Sequence, residues 1–392
     1  MTDEGLRAFP GAVEIARKLI SFPSVTPSDA GAIPYLCDLF RTAGFQAEIV
    51  PFETADTARV LNLYARIGKA PPCFAFAGHT DVVPPGDRPA WRFDPFAGEI
   101  ADGFLWGRGA ADMKGGLAAC VAAALGFVAR AEFHGSIAFL VTGDEEGPRI
   151  NGTAKLLEWA KTRGERFDHC LLAEPTSASA LGDTIKNGRR GSLTGRLRLL
   201  GRQGHVAYPQ LADNPLRRLA RLLDALYVPA LDAGTRDFDP SNLEVVSVDV
   251  GNAATNVIPA AAAIVFNVRF NDRWDRETVK REIAERLRRA LGDDGLQLTF
   301  DPTNSNAFVT PKGPFTDLVS RAVNEAIGRT PKLSTSGGTS DAQFIAAYCP
   351  VIELGLVGTT MHAVDERVKV ADIEALASIF ERVLALYFSC AG

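Results

Sequence analysis

Apolar residues recur at helical spacing over residues 11–21, where Val13, Ala16, Leu19 and Ile20 share one face. The string FPSVTPSD (22–29) then ends the helix, because each proline removes a backbone donor and keeps the residue before it extended. Residues 74–77 and 137–141 are short, unbroken apolar runs, each followed by polar turn residues. That is the pattern of strands buried on both faces of a helix-covered sheet. Between them, the Ala-rich stretch 115–130 predicts a buried helix. The resulting β–α–β order indicates an open α/β sheet, in which sites gather at the carboxyl ends of strands.

The texture changes near residue 186. Leu193, Gly195, Leu197 and Leu199 alternate with Thr194, Arg196 and Arg198, as on a half-exposed strand. Residues 214–226 have helical spacing, 243–250 and 264–270 have strand character, and Val279, Ile283, Leu287 and Leu291 mark an amphipathic helix. This pattern predicts an α+β unit over 185–300 inserted in a larger domain, made of residues 1–184 and 301–392. No internal repeat or low-complexity segment interrupts either part.

The length of 392 residues favours two domains over one. With 46% hydrophobic and 23% charged residues, the composition is that of an ordinary globular protein. A net charge of −5 argues against a nucleic-acid partner, while leaving room for a local basic pocket. Cys37, Cys73, Cys120, Cys170, Cys349 and Cys390 show no CxxC spacing and read as free thiols in a reducing compartment. The N-terminal MTDEGLRAFPG has no apolar signal core. The longest apolar run, 117–129, falls short of the about 20 residues a bilayer requires. These features predict a cytoplasmic protein with no membrane partner.

Five short strings each present a metal-type ligand where a strand or turn ends: GHTD (78–81), GRGAADMKGG (107–116), TGDEEG (142–147), LLAEP (171–175) and TMH (360–362). They contribute His79, Asp112, Glu146, Glu174 and His362. A hydrolytic metal pair needs a bridging carboxylate, outer ligands on each side and a free base. Asp112, short and set among glycines, is the candidate bridge. Of the adjacent acids, Glu146 is assigned as ligand and Glu145 as base, a division possible only in a turn where both face one cavity. Asp81, two residues after His79, is placed to accept a hydrogen bond from the far ring nitrogen and fix its tautomer. Taken singly, each string has an ordinary explanation: a capped turn histidine, an N-cap aspartate, a solvated acidic loop. Their joint occurrence is what outweighs these. His134 and His169 are read as structural. His205, in the inserted unit, is either a turn histidine or a group that polarises a carbonyl. Arg189, Arg190 and Arg269 are candidate carboxylate clamps, and SGGTSDAQ (336–343) suits a carboxylate cradled by backbone N–H groups.

GHTDVVPPG, GRGAADMKGG, DEEGP, LLAEPTS, GDTIKNGRRGS, GHVAYP, NVIPA, SGGTSDAQFIA and MHAVDERV follow one another in an order that resembles the co-catalytic zinc aminoacylase/carboxypeptidase family of metallohydrolases. IKNGRRGS and GHVAYP point to its succinyl-amide-hydrolysing branch. The resemblance implies an α/β zinc-exopeptidase-like catalytic domain with a central mixed sheet and an inserted ferredoxin-like dimerisation lid. It implies one zinc on His79, Asp112 and Glu174 and another on Asp112, Glu146 and His362, with cobalt as a possible substitute. It implies that Glu145 is the general base and proton shuttle, that Asp81 orients His79, and that the Asp112–Met113 peptide is cis. In a homodimer, His205 would serve the partner's site, and Arg189, Tyr208, Asn256, Arg269 and Thr339 would contact substrate. The implied reaction is hydrolysis of N-succinyl-LL-2,6-diaminopimelate to succinate and LL-2,6-diaminopimelate, in lysine and diaminopimelate biosynthesis. Deacetylation of acetylornithine and dipeptide cleavage are the neighbouring activities, and a non-catalytic metal-binding relative is the alternative of another class. Thr255 stands where an Asn is expected and Gly143 where a Ser is usual, both beside the site and not on a ligand.

Overall fold

The computed structural model describes residues 9–292, 294–302 and 305–389. The N-terminal residues 1–8 and Cys390 lie outside that range; the other five cysteines are free and buried. The chain divides into two compact units. One takes the chain up to Asn187, Thr310–Ser334 and the chain from Ser340 onward; the other takes Gly188–Val309 and Thr335–Thr339.

The first unit is built on a mixed sheet. Across it lie Gln46–Phe52, Val60–Ile67, Ser136–Thr142, Cys73–His79, His169–Leu172, Val351–Glu353, Thr184–Lys186 and Lys332–Ser334. Ser136–Thr142, Cys73–His79, His169–Leu172 and Val351–Glu353 run parallel, while Val60–Ile67 is antiparallel to its neighbour. The central strands Cys73–His79 and Ser136–Thr142 are buried at every position, which is why their sequences run apolar without alternation. Phe76 stacks on Phe139 at 5.3 Å and meets Phe380 of the helix Val370–Ser389 at 5.7 Å. The helix Lys114–Arg130 packs against Ala12–Ile20 and Val370–Ser389. Gly116 lets it approach the sheet: a Cβ there would lie 2.3 Å from the Ala173 carbonyl, next to Glu174.

The register places the functional strings. His79 pairs with Thr142 and Ala77 with Leu172, so three neighbouring parallel strands end at one edge. The chain leaves that edge carrying His79, then Glu145 and Glu146, then Glu174.

The second unit follows a β-α-β-β-α-β order: Gly191–Leu200, Leu216–Tyr227, Asn242–Asp249, Ala261–Phe270, Arg276–Leu291 and Leu296–Phe300. Its antiparallel sheet runs Asn242–Asp249, Ala261–Phe270, Gly191–Leu200, Leu296–Phe300. Leu193, Leu197 and Leu199 face a core with Leu222, Leu226, Ile264, Phe266, Val279, Ile283 and Leu287. Gly195, the small member of the inward row, leaves room for the Phe266 ring, whose Cζ would be 2.1 Å from an added Cβ. Among the described residues no helix is long and apolar enough to cross a membrane.

Candidate metal centre

His79 closes its strand with its side chain buried. Its Nδ1 lies 2.8 Å from the Asp81 carbonyl oxygen. A carbonyl only accepts, so Nδ1 donates, and Nε2 faces Asp112 Oδ1 at 3.3 Å and Glu174 Oε1 at 4.0 Å. The expected bond from His79 to the Asp81 carboxylate is not the one formed, since Oδ1 is 3.6 Å away. The strand ends at His79, so the same-face relation of i and i+2 does not extend to Asp81. The carboxylate instead accepts the N–H groups of Glu145 at 3.1 Å and Glu146 at 3.0 Å. Asp81 thus fixes the imidazole through its backbone and the acidic turn through its side chain. Burial pushes its carboxyl up to about 6, against the opposing pull of His79 and the two N–H groups.

Asp112 ends the glycine-rich loop before the helix Lys114–Arg130. It does not cap that helix: Met113 is the cap residue, and no side chain there accepts a hydrogen bond. The Asp112–Met113 peptide is cis. The two carboxylate oxygens face two different histidines, Oδ1 toward His79 Nε2 at 3.3 Å and Oδ2 toward His362 Nε2 at 3.3 Å. His362 Nε2 also lies 2.8 Å from Glu146 Oε1. His362 has φ 62°, a left-handed conformation uncommon outside glycine. Arg108 Nη2 donates to its carbonyl at 3.4 Å.

Three groups of ligand atoms result, each within 4.8 Å of one another: His79, Asp112 and Glu174; Asp112, Glu146 and His362; and His79, Glu145 and Glu146. The first two share Asp112, and the third places Glu145 beside them. Glu174 Oε1 is buried and has no hydrogen-bond partner. An orphaned acceptor of this kind costs about 1–3 kcal/mol, more when charged, unless something electropositive meets it. Oxygen and imidazole donors at these spacings suit a divalent cation of the zinc type.

The electrostatics agree. Burial works against the His79 imidazolium, but the bond to Asp112 and the charges of Glu174, Asp81 and Glu145 hold its pKa well above the ordinary value. Hydrogen bonds to Asp112 and Glu146 raise His362 to about 10. Burial and the Asp112 charge push Glu174 well up. Burial, then Asp341, raises Glu145 to about 8, with Arg149 and His79 opposing. Acids and imidazoles crowded in this way share their charge through protons on both kinds of group, or through a metal between them.

Sequence reasoning missed five residues here. Glu366, fully buried, accepts N–H groups of the Asp112 loop and the Arg108 guanidinium. Asp341 is buried and accepts from Thr153 Oγ1 at 2.6 Å. Arg149 pairs with Glu145. Lys114 is buried with Nζ 2.8 Å from the Phe22 carbonyl, its pKa lowered by burial to about 7 despite Asp81, Glu366 and Asp29. Glu366 and Arg108 lay inside strings already singled out; a charged residue inside a ligand-bearing string was the available signal.

The remaining candidates belong to the second unit. His205 pairs in register with Val257, accepts at Nδ1 from the Ala207 N–H at 3.0 Å, and has its ring 5.7 Å from that of the exposed Tyr208. The Asn256 carbonyl accepts the Val206 N–H at 3.0 Å, which keeps these residues together. Arg189 pairs with Phe308 and lies beside Gly337, close in sequence to Thr339. Arg269, on the strand Ala261–Phe270, is opposite Ser192 on one neighbouring strand and Asn242 on the other, and Arg190 Nη1 donates to Asn242 Oδ1 at 2.8 Å.

Residues 75–386 match the profile of peptidase family M20/M25/M40. The chain belongs to that family. Membership implies a divalent metal, and the ligand groups above are where this hydrolase can hold it. The chain is 58% identical over 378 residues to succinyl-diaminopimelate desuccinylase of Methylorubrum populi, covering 96% of this chain and 98% of the relative. It is 59% identical over 380 residues to the enzyme of the same name from Methylocella silvestris, with 96% and 98% covered. Among solved structures it resembles the M20 family metallo-carboxypeptidase Sso-CP2 from Sulfolobus solfataricus, with a TM-score of 0.78 at 17% identity, covering 97% and 99% of the two chains. That likeness concerns the fold.

Proposed function

We propose that this M20 hydrolase cleaves the succinyl amide of N-succinyl-LL-2,6-diaminopimelate, releasing succinate and LL-2,6-diaminopimelate for diaminopimelate and lysine biosynthesis. The observation that carries the chemistry is Asp112, whose two oxygens face two different imidazoles beside an additional carboxylate, Glu145. The choice of amide is supported by relatives 56–59% identical over nearly the whole chain.

His79, Asp112 and Glu174 would hold one zinc, and Asp112, Glu146 and His362 a second, with cobalt able to replace either. Bound there, the metals supply Lewis acidity that polarises the amide carbonyl and acidifies water. Asp112 would serve both, and Asp81 keeps His79 and the acidic turn in register. Glu145, buried beside the ligand groups, takes a proton from water as its oxygen joins the carbonyl carbon. It then delivers that proton to the amine as the C–N bond breaks. Arg189, Tyr208, Asn256, Arg269 and Thr339 are assigned to the substrate, with guanidinium groups suited to its carboxylates.

On the same reading the chain works in the cytoplasm as a homodimer, with His205 polarising the carbonyl in the partner's site. Support for pairing comes from the outer strand Asn242–Asp249, where Val246 and Val248 are exposed, and from exposed Tyr227 and Val228 nearby in the second unit. Zinc-loaded protein should hydrolyse N-succinyl-LL-diaminopimelate well ahead of N-acetylornithine and a plain dipeptide, with activity abolished by chelator. Preference for either of the other amides would keep the metal chemistry and overturn the substrate.

A further inference from the structure

Arg149 holds Glu145 at two points. Its Nε donates to the Glu145 carbonyl at 2.6 Å, and its Nη2 meets Glu145 Oε1 at 2.5 Å. A single planar guanidinium spans both acceptors, a grip that the point charge of a lysine cannot reproduce. The backbone is arranged for it. Arg149 has φ 58°, in the left-handed region. That conformation is held by Asp144, a buried carboxylate that accepts the N–H groups of Arg149 at 3.2 Å and of Ile150 and Asn151 at 2.9 Å.

Glu145 is therefore fixed from three sides. Asp81 takes its N–H at 3.1 Å, and Arg149 takes its carbonyl and one carboxylate oxygen. A glutamate has three side-chain torsions, and burial alone does not choose among them.

We propose that Arg149 is a positioning residue for hydrolysis, which selects the conformer of Glu145. The proposal rests on the reading of Glu145 as the base. A misplacement of about 1 Å at a reacting group can cost about 100-fold in rate, which sets the expected scale.

The test measures kcat, KM, metal content and melting temperature for Arg149→Met, Arg149→Ala and Arg149→Lys, each alone and in a Glu145→Gln background assayed at high enzyme concentration. Arg149→Met should lose about 10- to 100-fold in kcat with KM and metal content kept. Arg149→Lys should recover part of the loss. In the Glu145→Gln background the same changes should have little further effect, because both act through one group. Unchanged kcat in Arg149→Met and Arg149→Ala would overturn the proposal, as would an equal loss in both backgrounds, which would make Arg149 a substrate contact. Loss of metal or of folded protein in both truncations would make it a structural part of the turn and overturn it too. High activity of Glu145→Gln itself would instead remove the base assignment on which the proposal stands.

Discussion

Arg108 and Glu366 form a buried ion pair, Nη1 to Oε2 at 2.6 Å, that ties together the two loops bearing Asp112 and His362. Glu366 accepts the N–H groups of Gly109, Ala111 and Asp112 at 3.1, 2.8 and 3.1 Å. Arg108 donates to the carbonyls of His362 and Ala363 at 3.4 and 3.2 Å. Neither residue has an atom among the candidate ligand groups, yet together they tie down two candidate ligands far apart in sequence. Removing one partner strands the other charge in the interior, which costs about 3–5 kcal/mol. Glu366→Gln and Arg108→Met should lower the melting temperature and weaken metal binding about 10- to 100-fold, as changes behind a metal ligand do. Thermal unfolding and competition with a chromogenic chelator measure the two effects. Wild-type metal affinity in both variants would show that the ligand loops hold their positions without the pair.

The ligand groups predict different metal counts for different substitutions. Asp112 belongs to two of them, whereas Glu174 and His362 belong to one each. Asp112→Ala should therefore empty both positions. Glu174→Gln and His362→Ala should each leave one ion per chain after dialysis, as counted by plasma emission spectroscopy. Two ions retained by Asp112→Ala would refute the shared carboxylate.

Much of this site was legible in the sequence, for a physical reason. Residues 74–77 and 137–141 are apolar without alternation because they are central strands covered on both faces, and the candidate ligands follow where such strands end. The alternation from Leu193 to Leu199 likewise marks one face over a core and one outside it. What the sequence did not disclose are contacts between distant loops. Glu366 reaches the backbone of Ala111 and Asp112 across more than 250 positions, and no local pattern encodes that. The role of Asp81 was misread in part because spacing suggests a side-chain bond, whereas the end of the strand at His79 turns the carbonyl under the ring.

Proton linkage should be visible on metal binding. In the metal-free chain, His362 is raised to about 10 by Asp112 and Glu146, so it carries a proton at neutral pH. A metal takes the neutral imidazole. Zinc binding should therefore release protons, and apparent affinity should rise with pH toward about 10. The same pairing stabilises the metal-free fold fully below the ordinary histidine value of 6.5, and that contribution fades as pH climbs through about 10. Calorimetry of zinc binding in buffers of different ionisation enthalpy reads the proton count. Binding enthalpy independent of the buffer would contradict this.

A separate acid-sensitive point lies in the second unit. The Asp232 carboxylate accepts the N–H groups of Gly234 and Ser241, Asn271 Nδ2 and Trp274 Nε1. Burial alone would raise its pKa, but these donors and the Ser241 hydroxyl bring it down from 3.8 to about 2. A depressed carboxylate stabilises the fold above its unfolded value and stops doing so as pH falls through its folded one. Urea unfolding followed by tryptophan fluorescence should show stability dropping between pH 4 and 2 by less in Asp232→Asn than in wild type. Identical acid limbs would assign the loss to other carboxylates.

The central claim is a shared two-metal site served by a separate base, and Glu145→Gln tests it most directly. Metal content and kcat on N-succinyl-LL-diaminopimelate should be measured on the same zinc-loaded preparation. The variant should keep two ions per chain and lose kcat by about 10²- to 10⁴-fold, the usual contribution of a general base. Two ions bound with near wild-type kcat would place proton transfer elsewhere, and loss of an ion would make Glu145 a ligand.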